Sequence, residues 1–283
     1  MNDGAVAAPP DRVLDLFHGV RLTPTQRRIA HCLVQHAAAA AYLSAAEVAE
    51  LAGVSQPSVT RFAVALGHDG YPALRRRLRE LTAADSDGGA GDGNELQRAV
   101  RAEIANLDRL AGQLADRDRI AVAGRLLGAS RPLPVLGLRA AAPLAAYFAY
   151  FAAKVQPDVR VLDDGGSLLT DRLEQAATAG ATALLAFVLP RYPRETLDAL
   201  RDARDAGLTV VAITDSPVSP ATEYAELVLP AAVGTDLVFD LHTAPMTLAM
   251  VVLQAICDAS PAETQARLEA FESSAARRQL FLG

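Results

Sequence analysis

Cysteine and lysine are scarce in this chain. Its two cysteines, Cys32 and Cys257, each fall inside an apolar pattern. They provide no disulfide framework and no thiolate metal site, and read as small core residues of a protein in a reducing compartment, the cytoplasm. Lys154 is the only lysine, so the basic charge is almost all arginine, which reads as compositional bias rather than chemistry. His18, His31, His36 and His68 show no metal-ligand spacing with cysteine or acids. No metal and no cofactor is therefore expected. His242 is a lone histidine beside an apolar helix, where a packed or surface role outweighs catalysis. No uninterrupted apolar run reaches the roughly 20 residues that a membrane span needs. The nearest, residues 241–257, is broken by His242, Pro245 and Gln254 and reads as a buried helix. Residues 1–10 lack a basic region followed by an apolar run, so no secretory signal is expected.

What is present is length and apolar content. A chain of 283 residues with 51% hydrophobic side chains has room for two ordinary domains with real cores. The net charge of −6 is unevenly spread. Residues 1–82 hold nine arginines against seven acids, a balance of +2, which leaves −8 for the remainder. An acidic protein with one small basic domain remains compatible with nucleic-acid binding. Four of those arginines lie between Arg75 and Arg79. A charge run of that kind is also what an ordinary solvated helix face looks like.

The first 80 or so residues read as helix throughout. Thr23 suits an N-cap and Pro24 the first helical position, and Ile29, Cys32, Leu33 and His36 follow at helical spacing. Ser44 and Glu47 form a capping-box pattern that opens a short helix with Val48, Leu51 and Ala52 inward. Gly53 breaks it, Ser55 caps the next helix, Pro57 lies near its start, and Gly67 ends it. Tyr71-Pro72 opens a further helix that carries the arginine cluster.

Residues 85–93 (DSDGGAGDG) have linker composition. After them Leu96, Val100, Ile104, Leu107, Leu110 and Leu114 form one helical stripe, fit to pack on its own domain or on a partner subunit. From Pro134 short apolar strands at 135–138, 159–162, 183–189, 209–214 and 226–230 alternate with helices at 140–154, 167–178, 195–206 and about 220–225. Continuously apolar strands separated by helices predict an α/β fold, a five-stranded parallel sheet covered on both faces. Ligands of such sheets sit beyond the carboxyl ends of the strands, at loops 137–140, 163–167, 190–194 and 215–219. The organisation expected is an all-α domain over 1–82, a linker and connecting helix over 83–116, and an α/β domain over 117–283.

A capped helix, a glycine-containing turn and a second capped helix make residues 44–67 a helix-turn-helix pattern. The second helix would enter the major groove by its N-terminal end. Ser55, Gln56, Ser58, Thr60 and Arg61 crowd that end with hydrogen-bonding groups of suitable reach, while Val59, Phe62 and Leu66 face the domain. Arg75, Arg76 and Arg77 supply charge of the kind that phosphate contacts require. An ordinary helical hairpin with a polar outer face would show the same pattern.

The segments LTPTQRRIAHCLVQHA and SAAEVAELAGVSQPSVTRFAVALGHDGYPALRRRLRE resemble the N-terminal domain of the MurR/RpiR family of bacterial transcriptional regulators. The remainder resembles that family's C-terminal sugar-isomerase-like (SIS) domain, and together the likeness spans roughly residues 12–258. It implies regulation of gene expression, commonly of carbohydrate metabolism, through a sugar phosphate or related metabolite. It further implies operator DNA as a partner and a homodimer or homotetramer.

The phosphate-holding loops depart from the family. There the first loop carries a hydroxyl near a glycine and the third resembles Ser-x-Ser-Gly-x-Thr. Here the first reads Gly137-Leu-Arg139-Ala-Ala-Ala-Pro143, and aligned on Glu195 the third places Val188, Pro190 and Pro193 where hydroxyls are expected. Arg139, Arg191, Tyr192 and Arg194 are the candidate replacements, because an arginine fork suits phosphate or carboxylate. Solvation or pairing with acids would equally account for them. Asp163 and Asp164 could pair with those arginines or meet a sugar hydroxyl, and Thr214-Asp215-Ser216 reads as a turn. The expectation is a non-enzymatic regulator with no catalytic residues, which senses a small anionic metabolite. A sugar-phosphate isomerase-like enzyme and a domain that only dimerises are the alternatives.

Overall fold

A computed structural model describes residues 9–17, 20–40, 43–83 and 94–281, and the linker expected at 85–93 lies outside the described residues. The chain divides into two compact units, residues 1–95 with 218–220 and residues 96–217 with 221–283. No single helix among the described residues is long and apolar enough to cross a membrane.

The first unit contains α1 (Pro9–Asp15), α2 (Pro24–Gln35), α3 (Ala37–Ala40), α4 (Ala45–Leu51), α5 (Gln56–Ala65) and α6 (Tyr71–Ala83). Thr23 caps α2 by a reciprocal pair: its hydroxyl accepts from the Gln26 amide at 3.4 Å, and the Gln26 side chain accepts from the Thr23 amide at 2.8 Å. Ser44 and Glu47 repeat the arrangement at α4, at 3.3 and 2.7 Å. These pairs satisfy amides that have no partner within the helix. Ser55 does take the N-cap position of α5, but its hydroxyl makes no cap bond and instead meets the Ser58 hydroxyl at 2.8 Å. The turn between α4 and α5 uses Gly53 at φ +62°, a backbone state that costs a side-chain-bearing residue more. Ile29, Leu33, Val48, Val59, Phe62, Leu74 and Leu78 form the core. Leu51 is not part of it and is 52% exposed, because Val48 and Ala49 are the residues that α4 buries and Leu51 falls on the far flank. His36 likewise points outward, at the C-cap of α2. The buried Tyr71 hydroxyl donates to the Leu43 carbonyl at 3.1 Å and pins the start of α6.

The second unit runs α7 (Glu95–Gln113), α8 (Asp118–Ala129), β1 (Leu133–Gly137), α9 (Ala142–Ala152), β2 (Val159–Leu162), α10 (Ser167–Thr178), β3 (Ala183–Val188), α11 (Arg194–Asp205), β4 (Thr209–Thr214), β5 (Leu227–Pro230), α12 (Thr243–Ala259) and α13 (Pro261–Arg277). The sheet order is β2-β1-β3-β4-β5 and every pairing is parallel. Along β3 the residues alternate between two cores: Ala183, Leu185 and Phe187 face one side, and Leu184, Ala186 and Val188 the other. Period-two alternation with both faces apolar is what a sheet covered on both sides demands. Residues of α8, α9 and α12 fill the first core, and residues of α10 and α11 the second. The chain leaves β1 for β2 on one side and returns to β3 on the other, so the direction of winding reverses between β1 and β3. That reversal opens a crevice at the carboxyl ends of these two strands.

Three elements differ from the pattern read in the sequence. Helix α8 has no counterpart in the sequence reading, and its Gly124 and Gly128 are residues that weaken a helix interior. Gly124 instead permits close approach: a Cβ there would lie 2.4 Å from the Ala255 carbonyl oxygen of α12. Helix α13 buries only Ala275, so it shows no apolar stripe. The segment near residue 220 is a single 3₁₀ turn, Pro220–Glu223, rather than an α-helix. The stripe of α7 splits in two: Leu110 is buried, with Leu107 and Leu114 packed on the sheet core, whereas Leu96, Val100 and Ile104 are exposed.

Candidate functional sites

The first candidate is the outer face of α5 and α6. The hydrophobic positions Val59, Phe62 and Ala63 turn α5 into the core, which leaves Ser55, Gln56, Thr60 and Arg61 exposed and Ser58 half-buried. Ser55, Ser58 and Arg61 stand one turn apart on one face. The Arg61 guanidinium donates to the Ser58 hydroxyl at 3.2 Å, which itself meets Ser55. The three side chains form a short hydrogen-bonded ladder of donors and acceptors, the chemistry that base edges match. On α6, Arg76 and Arg77 are exposed and Arg75 half-buried; Arg77 forms an ion pair with Glu80 at 2.9 Å, one turn on. Among these five hydrogen-bonding and three cationic positions only Arg77 has its charge already answered by a carboxylate, that of Glu80.

The second candidate is a cleft of about 390 Å³ at the carboxyl ends of β1 and β3. Leu138, Arg139, Ala140 and Ala141 line it from the loop after β1, and Leu189, Pro190, Arg191 and Pro193 from the loop after β3. Both arginines have left-handed backbones, φ +54° at Arg139 and +60° at Arg191. That conformation costs a residue with a Cβ roughly 1–3 kcal/mol and persists only where the surroundings impose it. Neither guanidinium is held in an ion pair or hydrogen bond among the described residues. By contrast Arg131, Arg160, Arg172 and Arg201 pair with carboxylates. The lining carries no hydroxyl, as the loop sequences required.

Tyr192 and Arg194 do not line this cleft. Tyr192 turns the other way and its hydroxyl donates to Asp215 at 2.6 Å. Burial raises the Tyr192 pKa, and the Asp215 carboxylate beside it pushes in the same direction. Asp215 is raised as well, by burial first, against the hydrogen bonds from Tyr192 and Thr214. Arg194 is the exposed first residue of α11. Asp163 and Asp164 pair with Arg172 of α10, at 3.9 and 3.2 Å, rather than with the cleft arginines.

The opposite wall was not legible in the sequence. Val238, Phe239, Asp240 and His242, from the segment between β5 and α12, complete the cleft. Val238 and Phe239 are 92% and 82% exposed at its rim. Desolvation lowers the His242 pKa, opposed by Asp240 and Glu103. The clue available was the run of three apolar residues between acids in Asp236-Leu-Val-Phe-Asp240, which no helix or strand pattern absorbs. A larger hollow of about 610 Å³ is lined by α8 and α12 with Arg117, Arg125 and Asp258, away from the strand ends. The β1/β3 cleft is the better site because its two cations stand on strained backbone at the carboxyl ends of the strands.

Comparison with known proteins places both sites in context. Residues 17–85 match the family described as helix-turn-helix domain, rpiR family. The chain is 29% identical over 250 residues to the HTH-type transcriptional regulator HexR of Pseudomonas aeruginosa, covering 82% of this chain and 81% of that protein. An uncharacterized HTH-type transcriptional regulator of Escherichia coli, YfhH, is 36% identical over 76 residues, 27% of this chain and 26% of that one. Among solved structures, the sugar isomerase domain of an RpiR transcription factor from Sphaerobacter thermophilus has a TM-score of 0.57 at 24% identity, covering 62% of this chain and 97% of that one. The Vibrio vulnificus NanR protein, solved in complex with ManNAc-6P, has a TM-score of 0.59 at 17% identity, covering 98% of this chain and 100% of that one. The last two likenesses establish the fold.

Proposed function

We infer that this chain is a transcriptional regulator whose operator binding is controlled by a small anionic metabolite: residues 17–85 match the rpiR-family helix-turn-helix domain, the chain is similar to the regulator HexR, and the second unit has a sugar-isomerase fold. The division of labour we propose gives residues 1–82 the DNA, 83–116 the link and connecting helix, and 117–283 the effector and self-association. Ser55, Gln56, Ser58, Thr60 and Arg61 read base edges, and Arg75, Arg76 and Arg77 meet phosphates. The observation that carries the effector reading is the convergence of Arg139 and Arg191 in one cleft, both on left-handed backbone and both unpaired. An arginine fork suits phosphate and carboxylate alike. The ligand in the NanR complex is a sugar phosphate, so that class stands first among candidates here. Tyr192 and Arg194 support the loop and its charge from outside the cleft. The metabolite shifts DNA affinity by favouring one conformation of the chain.

Self-association as a homodimer or homotetramer rests on the exposed Tyr147 and Tyr150 of α9, beside the apolar α12. Light scattering on the full chain tests it, and a monomer at micromolar concentration counts against it. Effector control is tested by selecting an operator from random-sequence DNA with the full-length protein, then titrating sugar phosphates and carboxylates by calorimetry. Binding of one class, with a change in operator affinity, supports the reading. If every anion fails to bind, and Arg139→Ala and Arg191→Ala variants regulate normally, the second domain only dimerises. His242 and Asp240 in the cleft keep an isomerase-like activity as a second reading; turnover of a bound sugar phosphate, lost in His242→Ala, would favour it.

A further inference from the structure

The segment that forms the far wall of the cleft also touches α7. Gly234 and Leu241 exchange both backbone hydrogen bonds, at 3.0 and 2.8 Å, and close the residues between them into a clasp. Asp240 and His242 flank Leu241 and line the cleft. On the other strand of the same bridge Gly234 lies against Glu103 of α7, so closely that a Cβ on residue 234 would fall 2.1 Å from Glu103 Oε1.

Glu103 is an unusual residue to find there. It is only 6% exposed. Its Oε1 accepts from the Asn106 side-chain amide at 2.7 Å, and Asn106 in turn accepts from Arg109. Oε2 is buried with no hydrogen-bond partner. A buried carboxylate oxygen without a donor carries an uncompensated desolvation cost, so this packing is poised to change. The three side chains stand at successive turns of α7 on the face beside its exposed stripe.

We propose that Glu103 is the residue through which occupancy of the cleft reaches α7, the helix that follows the link to the DNA-binding unit. The proposal rests on the effector reading of the cleft. An anion drawn in by Arg139 and Arg191 brings the rest of the ligand against the far wall, where a ligand hydroxyl can meet His242 or donate to Asp240, and moves the clasp. Gly234 cannot move toward α7 without displacing the Glu103 carboxylate, because no free space separates them. Glu103 carries Asn106 and Arg109 with it, since the three are joined by hydrogen bonds. The differential contact that a two-state switch requires is thus the Gly234–Glu103 contact.

Two measurements on the full-length protein test this, with circular-dichroism melts to confirm that each variant folds. The first uses inorganic phosphate and a panel of hexose and pentose phosphates. In the wild type, a phosphate that binds by calorimetry is expected to change hydrogen exchange in residues 95–113 and operator affinity by about tenfold. Glu103→Ala keeps the binding and loses the response of both. A Glu103→Ala variant that binds and responds as the wild type does overturns the inference alone. Failure of every phosphate, and of every carboxylate in the titration described above, to bind the wild type overturns the effector reading and this inference with it. The second measurement needs no ligand. Gly234→Ala drives a methyl group into Glu103 and is expected to change basal operator affinity, and adding Glu103→Ala is expected to restore it. Additive effects of the two substitutions overturn the proposal.

Discussion

The hydroxyl of Tyr192, one residue after the left-handed Arg191, donates to Oδ1 of Asp215 at the end of the neighbouring strand, across 2.6 Å. The bond joins the loop after β3 to the end of β4 and fixes the loop from its buried side while Arg191 faces the cleft from the other. Tyr192→Phe removes one hydroxyl and leaves the ring in place. It is expected to cost about 1–3 kcal/mol of stability, because a buried acceptor loses a donor. It is also expected to weaken anion binding by loosening Arg191. Denaturant melts and calorimetry on the same variant check both halves.

The cleft arginines should trade stability for binding. A left-handed backbone is nearly free for glycine and costly for arginine. Arg139→Gly and Arg191→Gly are each expected to raise stability by about 1 kcal/mol while abolishing the effector response. Arg191→Lys, which keeps the charge and loses the fork, should recover little binding. A glycine variant less stable than the wild type in urea titration contradicts the strain assigned to these positions.

On the DNA side, Arg61 and the α6 arginines should fail differently. Arg61→Ala is expected to cost roughly 1–3 kcal/mol and to relax specificity at one operator position. Replacing Arg75, Arg76 and Arg77 should weaken all sequences alike and flatten the dependence on salt, since phosphate contacts release counterions. Because Arg77 already pairs with Glu80, Arg77→Ala alone should matter less than Arg76→Ala. Binding to the selected operator and to scrambled DNA at several ionic strengths separates these outcomes.

Acid should destabilise the first unit through His31. Burial lowers its pKa from 6.5 to about 4, with His36 adding to the shift. The unfolded chain therefore takes up a proton below about pH 6.5 that the folded chain refuses until about pH 4. Stability contributed by the neutral imidazole is complete above that window and falls as pH drops through it, by up to about 3 kcal/mol. Thermal melts between pH 7 and pH 4 should show the slope, and His31→Leu should reduce it.

Much of the architecture could be read from the chain. Capping residues Thr23 and Ser44 marked helix starts because their side chains bond locally. The strands of the second unit declared themselves by apolar runs of the right length. Arg139 and Arg191 were recoverable as cleft-lining residues because ligands of parallel sheets sit at the carboxyl ends of the strands and the resemblance to SIS domains implied the strand order that brings these two loops together. Tyr192 was misread as facing the cleft since nothing in a sequence says which side of a loop a ring takes. Asp240 and His242 were missed for a related reason: their wall is a segment without periodicity, brought to the cleft by a single bridge between Gly234 and Leu241. Helix α8 escaped because glycine marks both a break and a tight contact.

Gly124 is where that last ambiguity has a practical side. Alanine is the commonest and mildest replacement in a chain already rich in it, and one base change in a glycine codon produces it. At residue 124 that methyl group would enter the backbone of Ala255. In a saturation library scored for soluble protein, the position should reject all nineteen alternatives, alanine included, while neighbouring surface positions of α8 accept most.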